Sequence, residues 1–552
     1  MSPFSLTVVD GIGTLTFDLP GEKVNKFSND TLLELNKVAD ELKDRKDIKV
    51  LLFVSAKKDI FIAGADLKQF EPALKDTNFG RQFIQNGQNT FQKLAELPFP
   101  TVAVINGACL GGGTELALAL TYRIAADTPK TVIGLPETQL GIIPGWGGTQ
   151  RMPRLIGLQN GIELIVSGKP VKATKALKLG LVDALYAPEF QKEKALEFAK
   201  LVATEGGAKK AKSRRHKPSF VNWLLEGNPI GRKLLYSLSK NAILKQTKGH
   251  YPAPILALET IEKSWGLPIK EGLKVEAQAF SDNVEHNTRI ARYLIGIFLG
   301  QEELKKQGGY EGELPKGVLP KNAGVIGAGT MGGGIAYLFA NQSIPVRLKD
   351  INWEAIGKGI STISELLRKA AKKKKIGFNE ASLRFHQLSW TLDYNGFEKS
   401  DFIVESAVEN VELKQKIYAD LESVIPPKSI IATNTSSLTI KELSEKLKNP
   451  DRFIGMHFFN PAPIMPLVEI VPGTATSKQA LADTLELARK LGKTPVVTAD
   501  CHGFLVNRVF MMGANESFYL LEEGTPIETV DKALLKFGMP LGAAELADEV
   551  GI

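Results

Sequence analysis

Cysteine is nearly missing from this 552-residue chain, which has only Cys109 and Cys501. Two thiols cannot build a disulfide framework, and such sparing use points to a reducing compartment. No apolar run approaches the roughly 18 residues that a membrane span needs, so no transmembrane segment is expected. The opening MSPFSLTVVDGIGTLTF reaches an alternating strand pattern at once. It shows neither an apolar signal-peptide core nor an Arg-rich transit segment, and a cytoplasmic location is expected. The formal charge is +8. That favours anionic ligands such as phosphates or nucleotides, and it equally serves solubility. The basic clusters AKKAKSRRHK (Ala208 to Lys217) and RKAAKKKK (Arg368 to Lys375) have no interleaved aromatics and sit in no recognisable nucleic-acid module. They read as solvated faces or loops, and no nucleic-acid partner is expected. Short tandem repeats are missing too, and no metal site is expected.

The apolar share of 43% is ordinary and allows several cores. At about 150 residues per domain, the length suggests three or four domains. Residues 1–190 alternate strands and helices, the mark of an α/β layer fold. VVDGIGTLTFDLP reads as a hairpin, KVLLFVSA and FPTVAVINGA as strands, and TLLELNKVADELKDRK as a helix. Residues 191–318 read as a helical, basic linker region, connecting rather than functional. It ends in the Gly/Pro/charge-rich GGYEGELPKGVLPKN, a good domain boundary. A second α/β domain is expected over 319–499, with a last strand near TPVVTA, and a helical segment over 500–552.

Two constellations stand out. In NGACLGGGTELALAL, three glycines run into Glu115 at the start of an apolar helix. Glu137 follows in GLPETQLGIIPGWGGTQR. Two carboxylates on one side of a substrate can orient a water, one taking its proton while the other gives one back. Burial and like charge would raise one pKa. The glycines, with those of FIAGADLKQF, leave amides free to point at a developing enolate oxygen. The residues also permit a plainer reading, with Glu115 as a local cap or pair and the glycines as turns.

The second constellation is GVIGAGTMGGGIA, with Gly327, Gly329 and Gly332 between a strand and a helix. Asp350 ends the next strand, at the position of a ribose ligand. The pyrophosphate of a dinucleotide would rest on the helix N-terminus. An acid there favours NAD over NADP. The alternative is a glycine-rich packing turn. Further on, IGMHFFNPAPIMPLVEIVPG carries His457 and Glu469. A His can take a hydroxyl proton while hydride leaves the same carbon, and a carboxylate behind it fixes the tautomer. His457 could also be a core residue, and NTSSL (Asn434 to Leu438) could merely cap a helix beginning near Thr439.

FIAGADL, NGACLGGGTEL and LPETQLGIIPGWGGTQR resemble the crotonase family, specifically its enoyl-CoA hydratases. The resemblance covers about 1–190. It implies a ββα spiral fold, Glu115 and Glu137 as the catalytic pair, and an oxyanion hole from the amides of Ala65 and Gly112. GAGTMG, VESAVENVELKQK, NTSSL, HFFNP, LVEIV and GFLVNR resemble the L-3-hydroxyacyl-CoA dehydrogenases over about 319–510. That implies a Rossmann domain with NAD as cofactor. His457 would be the base and Glu469 its partner. Ser436 and Asn507 would hold the substrate oxygen and the His, with Glu409 and Lys414 near the nicotinamide and its ribose. The family usually has Pro where this chain has His502. Together the halves resemble the α-subunits of multifunctional fatty acid β-oxidation complexes, whose partner is a thiolase β-subunit. Those subunits run on past the equivalent of residue 552 with further helices, so a truncated lid over the second site is expected. Three functions are therefore weighed. They are a bifunctional hydratase–dehydrogenase acting on acyl-CoA, a hydratase or enoyl-CoA isomerase whose dehydrogenase half is inactive, and a non-catalytic acyl-CoA or NAD-binding subunit.

Overall fold

The computed structural model describes residues 2–69, 77–204, 220–373 and 376–550. The basic cluster at 208–217 and the end of that at 368–375 lie outside the described residues. The chain divides into two compact units, Met1–Phe298 and Leu299–Ile552.

The first unit begins with the expected hairpin. Strands β1 (Phe4–Val9) and β2 (Ile12–Phe17) pair antiparallel around Asp10 and Gly11. Both turn residues have positive φ, 52° and 77°, the two-residue turn that Asp-Gly favours because its twist matches the strands. Ser28 caps the helix Asn29–Lys43 through a reciprocal capping box with Thr31. That helix buries Leu32, Leu35, Ala39 and Leu42 along one stripe. The remaining strands are β3 (Val50–Ser55), β4 (Ile60–Ile62), β5 (Thr101–Ile105), β6 (Ala108–Leu110), β7 (Tyr122–Ala126), β8 (Val132–Gly134), β9 (Val171–Lys172) and β10 (Ala184–Tyr186). They form a six-stranded sheet, β1-β2-β3-β5-β7-β10, and a four-stranded one, β4-β6-β8-β9.

The segment read as a connector behaves otherwise. Its helices Gln191–Ala203, Pro229–Thr247, Pro252–Ser264 and the first part of Ile269–Gln307 belong to the first unit. Gln88 ties the last of these down by donating to the Leu273 carbonyl at 3.0 Å.

The second unit holds an eight-stranded sheet of β11 (Ala323–Ile326), β12 (Val346–Lys349), β13 (Leu388–Thr391), β14 (Phe402–Glu405), β15 (Ile430–Thr433), β16 (Phe453–Phe458), β17 (Leu467–Pro472) and β18 (Thr494–Val497). Its order is β13-β12-β11-β14-β15-β16-β17-β18, parallel except for β16 against β17. Strand order reverses between β11 and β14, the crevice where such sheets bind ligands. The antiparallel pair sets His457 directly opposite Glu469, so register alone brings those side chains within reach. Helices Val506–Glu522, Ile527–Phe537 and Ala543–Val550 follow.

Candidate active sites

In the first unit, β6 ends in a turn that only glycine tolerates. Gly111 has φ +52°, and a Cβ there would lie 2.9 Å from Glu137 Oε1. The turn opens into the helix Gly112–Ala119, which carries Glu115 in its first turn. The Gly64–Ala65 loop runs alongside, since a Cβ on Gly64 would lie 3.8 Å from the Gly112 nitrogen. Phe27 bridges this loop by donating to the Gly64 carbonyl and accepting from the Asp66 amide. A parallel bridge of this kind leaves the amide of the middle residue, Ala65, outside the ladder.

Both glutamates line a mostly apolar cavity of about 190 Å³, walled by Ile84, Leu110, Ile142 and Phe280. Glu115 is 2% exposed. Its Oε1 accepts the amides of Trp146 at 2.7 Å and Gly148 at 2.8 Å. Burial, and then the charges of Glu137 and Glu276, nonetheless hold its pKa well above the carboxylate range. Glu137 stands in the 3₁₀ turn Pro136–Leu140, and its buried Oε2 has no hydrogen-bond partner. Burial, with Glu276 adding to it, pushes its pKa up to about 8. The site thus gathers two acids with high proton affinity beside two glycine-loop amides. Such a set can pass protons to and from one water while stabilising an enolate.

Glu276 was not foreseen. It is fully buried on the helix Ile269–Gln307. In the sequence it is one of two acids in EGLKVEAQAF, inside what read as a connecting helical segment, and nothing local sets it apart from Glu271.

In the second unit, the glycine turn has the geometry a dinucleotide needs. A Cβ on Gly332 would lie 1.8 Å from the Gly327 carbonyl oxygen, so helix and strand can close up only with glycine there. A Cβ on Gly329 would meet nothing within 4 Å, leaving open the approach to the first turn of the helix Thr330–Asn341. That helix has no side-chain N-cap, so its leading amides remain for an anion. Asp350 Oδ2 accepts the Ala328 amide at 2.6 Å, which places a carboxylate beside the turn. These residues fit a dinucleotide with free ribose hydroxyls.

His457 is 5% exposed, and its Nδ1 lies 2.7 Å from Glu469 Oε2. Glu469 Oε1 accepts the amides of Leu505 and Val506. Burial works against the Glu469 charge, but the His457 hydrogen bond and those amides prevail and lower its pKa. The imidazole lies against Phe459 and Phe504, with centroids 4.5 and 5.8 Å away. Glu409 Oε1 accepts from Thr435 Oγ1, from the Ser436 amide at 2.7 Å and from Ser436 Oγ at 3.2 Å. Asn507 donates to the Ser436 carbonyl at 3.0 Å. It thus braces the NTSSL loop.

Lys414 lies close to the same loop. Its side chain is 1% exposed, with Nζ 2.8 Å from Glu405 Oε1 and 3.5 Å from Glu409 Oε2. The buried ammonium thus lies between the carboxylates of Glu405 and Glu409. Two residues were missed here. Glu405 is fully buried and gathers Lys414, Tyr418, Thr433 and the Ala407 amide. Asp500 accepts the amides of Ile440 and Lys441 and so caps the short helix after NTSSL together with Thr439. His502 is exposed, with Nδ1 3.2 Å from the Ser437 carbonyl oxygen.

Residues 7–249 match the enoyl-CoA hydratase/isomerase family. Residues 322–501 match the NAD-binding domain of 3-hydroxyacyl-CoA dehydrogenase, and 503–552 match its C-terminal domain. Similar solved structures include (S)-3-hydroxybutyryl-CoA dehydrogenase from Ralstonia eutropha, 37% identical over 42% of this chain and 82% of that one, with a TM-score of 0.40. An enoyl-CoA hydratase from Bacillus anthracis is 29% identical over 55% of this chain and 96% of that one, with a TM-score of 0.35. NAD is the cofactor of the dehydrogenase half. Residues 7–249 therefore belong to the enoyl-CoA hydratase/isomerase family and residues 322–552 to the 3-hydroxyacyl-CoA dehydrogenases, and the chain is a bifunctional enzyme of fatty acid oxidation.

Proposed function

We propose that Glu115 and Glu137 hydrate a trans-2-enoyl-CoA, and that His457 and Glu469 then serve the oxidation of the resulting 3-hydroxyacyl-CoA. The observation that carries this reading is the pairing of the two glutamates on one apolar cavity beside the Gly64–Ala65 and Gly111–Gly112 loops. The thioester carbonyl lies against the amides of Ala65 and Gly112, each worth on the order of 3 kcal/mol to the enolate. The ionised glutamate takes a proton from water as the oxygen bonds to C3. The protonated one delivers its proton to C2. One water is added, and the two acids exchange protonation states.

In the second unit, Asp350 would hold the adenosine ribose of NAD and the Gly327–Gly332 turn its pyrophosphate, and the cofactor when bound would supply the acceptor for the C3 hydride. His457 takes the C3 hydroxyl proton through Nε2, and Glu469 steadies the imidazolium from Nδ1. Ser436 binds the same oxygen, and Lys414 and Glu405 hold Glu409 and the NTSSL loop in place. Joining the steps in one chain raises the effective concentration of the intermediate. A thiolase partner would cleave the ketoacyl product, and a cytoplasmic location fits the cysteine usage.

Isomerisation of a 3-enoyl-CoA needs only one shuttling carboxylate, so the pair favours hydration. A non-catalytic subunit has no use for a carboxylate with proton affinity raised to about 8. Supplying crotonyl-CoA and NAD⁺ tests the whole reading, and NADH should form. NADH formation that survived His457→Ala would remove the dehydrogenase assignment.

A further inference from the structure

Glu276 lies outside the residues matched to the hydratase family, which end at 249. Its carboxylate meets the loop that grips Glu115, from the other side. Trp146 and Gly148 donate their amides to Glu115. Gly147 donates to Glu276 Oε1 at 2.6 Å, and Thr149 to Oε2 at 3.0 Å. Four successive amides thus alternate between two buried carboxylates. Gln88 Nε2 also donates to Oε1 and Thr149 Oγ1 to Oε2. The Thr149 hydroxyl accepts from Gln150 Nε2, so its own proton points at Glu276. A carboxylate offers about four lone-pair sites, and all four are taken by donors.

Resting on the hydratase reading above, we propose that Glu276 is a positioning residue for hydration. It pins the 146–149 loop so that one oxygen of Glu115 is held and the other is left for the water. It also places a negative charge behind the catalytic pair that keeps their shared proton bound. The four donors favour the charged form of Glu276, while burial pushes its pKa up to about 7. The charged groups facing it are Glu115 and Glu137 in the site and Arg151 and Arg154 on the helix Gly148–Ile156. Both arginines donate elsewhere, Arg151 to the Trp146 carbonyl and Gln92, Arg154 to Gln150 and the Ser264 and Leu267 carbonyls. The hydratase site is on this account incomplete without a helix from the segment that looked like a linker.

The test is crotonyl-CoA hydration by the full chain carrying Glu276→Gln, Glu276→Asp or Thr149→Val, with Glu115→Gln as the reference. Glu276→Gln should lower kcat by about tenfold or more, the scale of lost acid–base efficiency, with little change in KM. The alkaline limb of its pH profile should move to lower pH, because loss of the negative charge lowers the proton affinity of the pair. Glu276→Asp should recover part of kcat. NADH formation from 3-hydroxybutyryl-CoA should stay at the wild-type rate. A wild-type kcat and pH limb in Glu276→Gln, with Glu115→Gln inactive, would overturn the proposal. So would a loss that simply tracks the unfolded fraction seen in thermal melts. Should Glu276→Gln fail to fold, wild-type pH profiles in both Glu276→Asp and Thr149→Val would overturn it. An active Glu115→Gln would instead strike the hydratase reading itself.

Discussion

The two units bury the carboxylates of their candidate sites in opposite ways. In the first, Glu115, Glu137 and Glu276 share one region with no cation bonded to any of them among the described residues, and the pKa of each is raised. In the second, each buried acid has a basic partner, Glu469 with His457 and Glu405 with Lys414. The difference follows the chemistry. Hydration needs an acid that still holds a proton near neutral pH. Oxidation needs a carboxylate that stays ionised behind a base. Like charges and burial produce the first state, and a base with amide donors produces the second.

The largest effects should come from removing the proton carriers, and they should separate the units. Glu115→Gln or Glu137→Gln should slow hydration by about 10² to 10⁴-fold and leave oxidation of 3-hydroxybutyryl-CoA intact. His457→Ala should do the reverse on a similar scale, read as NADH absorbance. Either variant crippling both steps would break the comparison.

A milder contrast lies in pH. Hydration should decline as pH rises through about 8, where the Glu137 proton is lost, while oxidation should not decline there. The sign for stability follows from the same shift. A folded pKa raised above 4.5 gives stability that is complete below that value and lost as pH rises through about 8. Glu137→Gln should therefore melt higher than wild type at alkaline pH, by ~2–4 °C if about 1 kcal/mol is recovered. An unchanged melt across that range would remove the claim that the cavity stresses this acid.

The sequence made the local parts of this comparison readable, and the missing parts are long-range. Asp10-Gly11, the glycine turns and the periodic helices carry their own short-range causes, so the hairpin, the Rossmann strand–turn–helix and the Glu115 helix could be anticipated. His457 and Glu469 were legible as a pair because they sit on adjacent antiparallel strands. The four-stranded sheet was not, since its strands are two or three residues long and show no period. Glu276 reaches Thr149 from 127 positions away, and no local pattern marks that. Lys414 was marked only by the family resemblance, and its pairing with the buried Glu405, nine positions away, had no signal in the sequence.

The smallest effect concerns cofactor choice. Asp350→Asn should weaken NAD binding by about tenfold, the loss of one charged hydrogen bond of about 1.4 kcal/mol, and should relax the exclusion of NADP. Hydration should be untouched. A variant that bound NAD as tightly as wild type in a fluorescence titration would take Asp350 out of the ribose site.

The most direct measurement follows crotonyl-CoA and NAD⁺ through one chain in a single cuvette, with enoyl absorbance and NADH read together. Glu137→Gln should stop both signals, and adding 3-hydroxybutyryl-CoA should restore NADH alone. His457→Ala should consume the enoyl thioester without any NADH. If His457→Ala also stopped enoyl consumption, or if Glu137→Gln still made NADH from crotonyl-CoA at the wild-type rate, two independent proton-handling sites in this chain would be contradicted.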